Sequence, residues 1–209
     1  MSSKTIAAGH TLWAKMPKAN AELFALTYGS LVMEIVRDYA DNVEEINTQL
    51  ERIGHSIGVR CVDELLAKGE VNGLHIPTCA NLRDTAEVIA KIGFRMFLGV
   101  TCEISNFGAD GNSFSLFMYE NPIAIFVELP PPPSDGTAAS SNGVNSADLS
   151  QLQYSNIYCG VIRGALEQVN MKVDCQFVRD MLKGDEVNEI RVQLKEIMTD
   201  GAGEDYTEE

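Results

Sequence analysis

The first hundred residues carry apolar side chains at helical spacing in three runs, over residues 20–39, 43–68 and 81–98. Apolar residues that recur every three or four positions form one face of a helix, and that face packs against a core. Asn20 and Asn81 stand where N-cap residues accept hydrogen bonds from a first helical turn, and Gly69 stands where a glycine often ends a helix. The pattern therefore predicts three helices in this half of the chain.

Each of the first two predicted helices has an apolar stripe that we expect to face the core, and we expect the two helices to pack as an antiparallel pair. The stripes are Leu23, Leu26, Leu31, Ile35 and Tyr39 in the first helix, and Ile46, Leu50, Ile53, Ile57, Cys61 and Leu65 in the second.

After residue 101 the pattern changes from helical to alternating, which is typical of strands with one buried face. The inward positions of three predicted strands are Phe114, Leu116 and Met118, then Val173, Cys175 and Phe177, then Ile190, Val192 and Leu194. A turn at residues 183–186 joins the last two strands into a hairpin. A helix over residues 154–169 precedes them, and its Gly160 and Gly164 allow another element to approach closely. The sequence predicts an α+β domain with an antiparallel sheet.

Segment composition divides the chain into one folded domain and three flexible parts. Residues 20–198 have enough apolar residues for a single core, whereas residues 1–19 are expected to be a flexible start. The Pro-, Ser-, Asn- and Gly-rich insertion at residues 131–152 and the acidic tail at residues 199–209 cannot bury enough apolar surface to order.

Charge and cysteine usage exclude several classes of function. With 16 Lys and Arg against 30 Asp and Glu, the net charge of -14 repels nucleic acids and anionic lipids. The start lacks the apolar core of a secretory signal and the chain has no apolar run of membrane-spanning length, so we expect a cytosolic protein. The 5 cysteines include no CxxC pair and no zinc spacing, which argues against disulfides and metal. No phosphate-binding GxxxxGK[ST] loop is present, so the chain should not bind GTP itself.

Six short segments along the chain form a recognisable series: ELFALTYG at 22–29, IGVR at 57–60, DTAEVIAK at 84–91, ENP at 120–122, CGVIRGALE at 159–167 and LKGD at 182–185. In this order they resemble the Bet-three family of transport protein particle (TRAPP) subunits, and the similarity covers residues 20–198. The resemblance implies helices packed on a four-stranded antiparallel sheet, with an apolar tunnel. It also implies a non-catalytic scaffold that forms homodimers and heterodimers with related subunits. The family's complex tethers vesicles in ER-to-Golgi transport and promotes nucleotide exchange on a Rab-type GTPase. By the same resemblance the protein is cytoplasmic and reaches cis-Golgi and endoplasmic reticulum membranes peripherally, through the complex.

The resemblance further implies an acyl chain, palmitate, held in thioester linkage to one cysteine, and Cys79 occupies the matching position. The tunnel would be lined by four residues of the third helix, Ala86, Ala90, Gly93 and Phe97. The same small residues are also explained by close helix packing. The dipole of the following helix predicts a lowered pKa for the Cys79 thiol.

Three residues depart from the family pattern. Thr78 stands where relatives have an arginine before the acylated cysteine, His55 replaces an aromatic residue, and Ile125 replaces an aspartate. We expect these differences to alter local contacts or the choice of partner.

Two rival hypotheses rest on histidines. His55 lies in the helical register from which it could face a haem or small ligand, as in a sensor domain, although such a histidine is more often partly buried and hydrogen-bonded. His75 lies four residues from Cys79, a spacing that is weak support for a Cys/His nucleophile. The preferred hypothesis gives the chain no catalytic residue.

Two surfaces are expected to bind partners. The first two helices offer Leu23, Leu26, Leu31, Phe24 and Val32 for dimerisation. The tail from residue 200 carries carboxylates on a Gly-containing segment, and we expect it to act at the basic or magnesium-bearing surface of the GTPase.

Overall fold

The structure is a computed structural model, and it describes residues 2–39, 42–77, 79, 81–130 and 149–198. The helices are α1 (Ser2–Lys15), α2 (Ala21–Asp38), α3 (Val43–Val71), α4 (Leu82–Val88), α5 (Phe94–Leu98) and α6 (Ile157–Glu167). The strands are β1 (Glu103–Ser105), β2 (Ser113–Met118), β3 (Met171–Arg179) and β4 (Asn188–Ile197). A π-helical turn, Ile89–Gly93, joins α4 to α5, so the third predicted helix is continuous. Across these ranges no helix combines the length and apolar character that a membrane crossing needs.

The four strands form one antiparallel sheet in the order β1-β2-β4-β3, which confirms the predicted fold class. Its inner face was predicted correctly. Phe114 pairs with Val192 and Leu116 with Ile190, and all four side chains are buried in the main core against the helices.

Helices α3 and α6 approach so closely that four glycines are required. A Cβ added at Gly54 or Gly58 of α3 would overlap a backbone carbonyl oxygen of α6, and one added at Gly160 or Gly164 would overlap a carbonyl oxygen of α3. This contact confirms the close approach predicted for Gly160 and Gly164. It makes α6, rather than α2, the main helical partner of α3.

The N-terminal region differs from the flexible segment that the sequence predicted. Residues Ser2–Lys15 form α1, in which Leu12 is fully buried. Helix α1 packs on α4, the π-helical turn and α5. The large apolar residues of this region are Ile6, Leu12, Trp13 and Met16, too few to form a wide helical stripe.

The core face predicted for α2 was wrong. Leu23, Leu26, Leu31 and Tyr39 are exposed, and of that stripe only Ile35 is buried. The residues that do pack inward are Ala25, Tyr28, Val32, Ile35 and Val36. Since α2 is apolar on two sides, its periodicity does not reveal which side meets the core of its own subunit.

Two predicted boundaries also differ. Gly69 is buried inside α3 and does not end it; the helix continues to Val71, and Gly73, with a φ of 65°, makes the turn. At the other end of the insertion, Leu152 is buried in the main core, so its predicted flexibility does not extend to this residue. Residues 131–148 and 199–209 lie outside the described residues.

Candidate functional site

Cys79 lies in the connection between α3 and α4, immediately before the N-terminus of α4. Its half-buried thiol donates to the carbonyl oxygen of Pro77 over 3.7 Å. Asn81 caps α4 as predicted, because its side-chain oxygen accepts from the amide of Asp84 at 3.0 Å. The neighbouring Thr78 lies outside the described residues.

The pKa of the Cys79 thiol is raised, not lowered as the sequence predicted. Burial among apolar side chains is the largest cause, and the Asp84 carboxylate acts in the same direction, while a hydrogen bond with Thr85 lowers the pKa. Desolvation disfavours the thiolate more than its position before a helix favours it. The thiol is therefore mostly protonated at neutral pH.

Cys79 packs against a compact apolar group, here called the Cys79 cluster. It joins α1, α3, the α3–α4 connection and the α4–α5 region, and it consists of Ala8, Leu12, Met16, Leu65, Leu74, Ile76, Cys79, Val88, Ile92 and Met96. The contribution of α1 to this cluster was not predicted from the sequence. Ala8, Leu12 and Met16 recur at intervals of four, which is the signal that could have revealed it.

A second apolar feature, the α3 groove, runs between α3 and α5. Its volume is about 440 Å³, and it is lined by Ile53, Ser56, Ile57, Arg60, Cys61, Glu64 and Phe97. Ile57 and Phe97 are 42% and 38% exposed, so the groove opens to solvent. The groove is mostly apolar and is an open surface feature rather than an enclosed cavity.

The four residues predicted to line a tunnel fall into two groups. Ala86 and Ala90 are fully buried in the main core cluster, whereas Phe97 lines the α3 groove. Gly93 precedes Phe97 by four residues, and a Cβ added there would meet only the Val88 carbonyl oxygen, at 3.9 Å. There is therefore space beside Gly93 for a larger group, although a glycine inside a helix costs ~1 kcal/mol relative to alanine.

The α3 groove and the Cys79 cluster adjoin along α3. Cys61 lines the groove, and Leu65, in the cluster, follows it by four residues. Four helical residues span about 6 Å, and the residues from Ile53 to Leu65 span about 18 Å. The groove and the cluster therefore lie about one helical turn apart along α3.

Neither histidine forms a catalytic arrangement. His55 Nε2 contacts a carboxylate oxygen of Glu167, so it bridges α3 and α6 as a partly buried, hydrogen-bonded histidine. His75 is exposed, and the Cys79 thiol hydrogen-bonds with the Pro77 carbonyl oxygen and with Thr85. Within the described ranges no three His, Cys, Asp or Glu side chains are grouped to hold a metal ion.

The outward face of α2, here called the α2 face, is apolar and exposed. Leu23, Phe24, Leu26, Leu31 and Met33 have exposed fractions of 39–65%. Val32, predicted to belong to it, is buried instead. A patch of this kind is typical of a protein–protein interface.

Comparison with known proteins defines the class to which this fold and site belong. Residues 24–193 match the family described as "Transport protein particle (TRAPP) component", and the chain belongs to this family.

The particular relatives are Bet-three subunits. The chain is 46% identical to transport protein particle subunit bet3 of Schizosaccharomyces pombe, over 91% of this chain and 92% of that protein. It is 42% identical to trafficking protein particle complex subunit 3 of Dictyostelium discoideum, over 96% of each chain. A crystal structure of trafficking protein particle complex subunit 3 from Naegleria fowleri, covalently bound to palmitic acid, matches with a TM-score of 0.72 and 44% identity, covering 86% of this chain and 98% of that one.

Proposed function

We propose that the protein is a non-catalytic scaffold subunit of a TRAPP complex and that it carries a palmitoyl chain in thioester linkage to Cys79. Its family membership and the naming of its relatives as trafficking complex subunits support the first part. The palmitic acid bound covalently to the Naegleria fowleri relative supports the second.

The observation that carries the acyl proposal is that Cys79 packs against an apolar cluster whose Leu65 lies one helical turn along α3 from Cys61 in the α3 groove. A chain attached at the thiol would pass Leu65 and Cys61 and reach the space beside Gly93 and Phe97. Apolar burial contributes ~0.8 kcal/mol for each methylene removed from water, so a long acyl chain favours this groove over solvent. Ala86 and Ala90 would not contact the acyl chain. They pack in the main core, where their small side chains let the helix lie close to the other elements.

The raised thiol pKa does not conflict with this proposal. A thioester bears no charge, so an apolar site that disfavours the thiolate favours the acylated product. The site holds the chain rather than activating the cysteine, which agrees with a structural role for the lipid.

The partners follow from the α2 face and the family. We propose that the α2 face pairs with a second copy or a related subunit, giving homodimers and heterodimers within the complex. The complex would work in ER-to-Golgi transport at Golgi and endoplasmic reticulum membranes and support nucleotide exchange on a Rab-type GTPase. In that setting the acidic tail would contact the GTPase.

The acyl site is tested by intact-mass measurement of protein purified from a eukaryotic host. We expect a mass increase of one palmitoyl group that hydroxylamine removes and that Cys79→Ser abolishes. Cys61→Ser is the matched control, because Cys61 also borders the groove and is half-buried. An adduct that survives in Cys79→Ser and disappears in Cys61→Ser would move the site to Cys61.

A further inference from the structure

Helix α1 helps to form the apolar cluster against which the proposed acyl site packs. Leu12 of α1 is fully buried, and with Ala8 and Met16 it belongs to the same apolar cluster as Cys79. Release of α1 would therefore remove part of the cluster against which Cys79 packs.

The contact between α1 and the α4–α5 region is a close one at the backbone level. A Cβ added at Gly9 would overlap the carbonyl oxygen of Lys91 in the π-helical turn. One turn further along α1, Trp13 lies against Gly99, where an added Cβ would meet its ring at 2.8 Å. Side chains larger than those present cannot be accommodated without moving α1 away.

The α4–α5 region contains a buried polar atom that weakens its contact with α1. The Nε of Arg95 is buried and has no hydrogen-bond partner among the described residues, and the guanidinium of Arg95 lies 5.7 Å from the Trp13 ring. Burial of an unsatisfied polar atom is unfavourable, so release of Trp13 to water would recover part of this cost.

Two further properties mark α1 as separable. The helix has 14 residues, a length at which an isolated helix is only marginally stable, so its structure depends on docking. It also precedes residue 24, where the match to the TRAPP family begins.

We propose that α1 is a removable cover over Cys79. In its docked position it closes the Cys79 cluster with Leu12 and Met16, and its release opens the thiol to acyl donors and other reagents. If α1 serves to control acylation, that role rests on the proposed function of Cys79 as the acylated residue. The covering of the thiol itself does not depend on that function.

The test compares two variants of the full chain that add the same side chain on opposite sides of α1. Gly9→Leu places a leucine where even a Cβ overlaps Lys91, so α1 cannot dock, while its helix propensity rises. Ala7→Leu is the control, because Ala7 is exposed on the same helix. Both proteins are treated with hydroxylamine to free the thiol and are then reacted with iodoacetamide, and peptide mass mapping gives the alkylation rate of each cysteine.

We expect alkylation of Cys79 to be faster in Gly9→Leu by about tenfold or more, as when a site of low local stability is opened. Cys61, half-buried and outside the cluster, serves as the internal reference and should react at the wild-type rate in both variants. In Ala7→Leu both cysteines should react as in the wild type.

Hydrogen exchange of the α1 amides shows whether the helix is released in Gly9→Leu. If these amides stay protected, Leu12→Lys is used as the second variant. An unchanged Cys79 rate in a variant with released α1 would overturn the proposal, as would an equal increase at Cys61, which would indicate general loosening. Because the readout is alkylation, a chain that never carries palmitate could still show the cover. The acyl proposal and this one can therefore fail separately.

Discussion

The Cys79 thiol lies before a helix N-terminus and among apolar side chains, and these surroundings act on its pKa in opposite directions. The sequence placed Cys79 next to a helix start but gave no measure of its burial, because Leu12, Leu65 and Ile76 come from three separate parts of the chain. The predicted direction of the pKa shift was wrong for that reason. The loop position of the cysteine and the Asn81 cap were predictable from local residues, and both were correct.

The raised pKa leads to a prediction about pH. The rate at which iodoacetamide alkylates Cys79 follows the thiolate fraction. We expect this rate to keep increasing above pH 9.0, the ordinary thiol value, with its midpoint displaced upward by burial. At neutral pH the thiolate fraction, and so the rate, should lie below that of N-acetylcysteine measured alongside. A midpoint below 9.0 would mean that the helix dipole outweighs burial.

Gly93 provides the sharpest single-residue test of the groove. Gly93→Leu meets no backbone obstacle, since an added Cβ has only the Val88 carbonyl oxygen within 4 Å, at 3.9 Å. The new side chain should fill the space proposed for the acyl chain, so we expect the hydroxylamine-sensitive adduct to disappear. The fold should persist, with a helix-propensity gain of up to ~1 kcal/mol over glycine. Intact mass and thermal unfolding measure the two effects.

Gly93→Ala is the matched control, because its methyl group leaves most of the space open. It should keep the adduct. A wild-type level of adduct in Gly93→Leu would show that the chain does not pass beside this residue.

At the scale of elements, residue spacing predicted the helices and one close helix contact. It did not show which face of a helix packs against another element. Gly160 and Gly164, four apart on α6, indicated a close helix contact, and the structure shows it. The apolar residues of α2 indicated a helix correctly, but not which face is buried. Strand β1 has only 3 residues, too few for an alternating pattern, so the fourth strand was expected from family resemblance alone.

The α3–α6 contact should tolerate almost no added volume. In Gly160→Ala the new methyl group would overlap the Glu51 carbonyl oxygen and would lie 2.7 Å from the His55 amide nitrogen. Because backbone atoms cannot rotate away, the helices must separate, and we expect the free energy of unfolding to fall by ~1–3 kcal/mol or more. Urea unfolding followed by circular dichroism measures the change.

Gly29→Ala serves as the control for this substitution. Gly29 lies in α2, and its added Cβ would meet only the Tyr154 hydroxyl oxygen, at 3.4 Å. This variant should be as stable as the wild type or more stable by up to ~1 kcal/mol, since alanine is the better helix former. Equal stabilities for the two variants would contradict the close packing of α3 and α6.

At the scale of the whole molecule, the inner side of the sheet and the helices form one main core, while the α2 face remains apolar and exposed. The sequence predicted the single domain, the layer arrangement and the apolar residues of α2. It could not separate the residues that fold the subunit from those left for a partner, because both sets are apolar. The net charge of -14 opposes nonspecific self-association, so the exposed apolar face is better explained by a specific interface.

The proposed dimer is tested by placing a charge on the α2 face. Leu26 is 55% exposed in the single chain, so Leu26→Glu should leave thermal unfolding of the subunit nearly unchanged. In a dimer of ordinary size, which buries ~1,600 Å² in total, an unpaired carboxylate at this position would be desolvated. We expect it to weaken association by about 2 kcal/mol or more, the loss typical of a central interface residue.

Glu44→Lys, an exposed change at the start of α3, is the control and should keep the wild-type dissociation constant in sedimentation experiments at micromolar concentration. A Leu26→Glu protein that dimerises as tightly as the wild type would exclude the α2 face from the interface. A monomeric wild type that captures a related subunit through Leu26 would restrict the face to heterodimers.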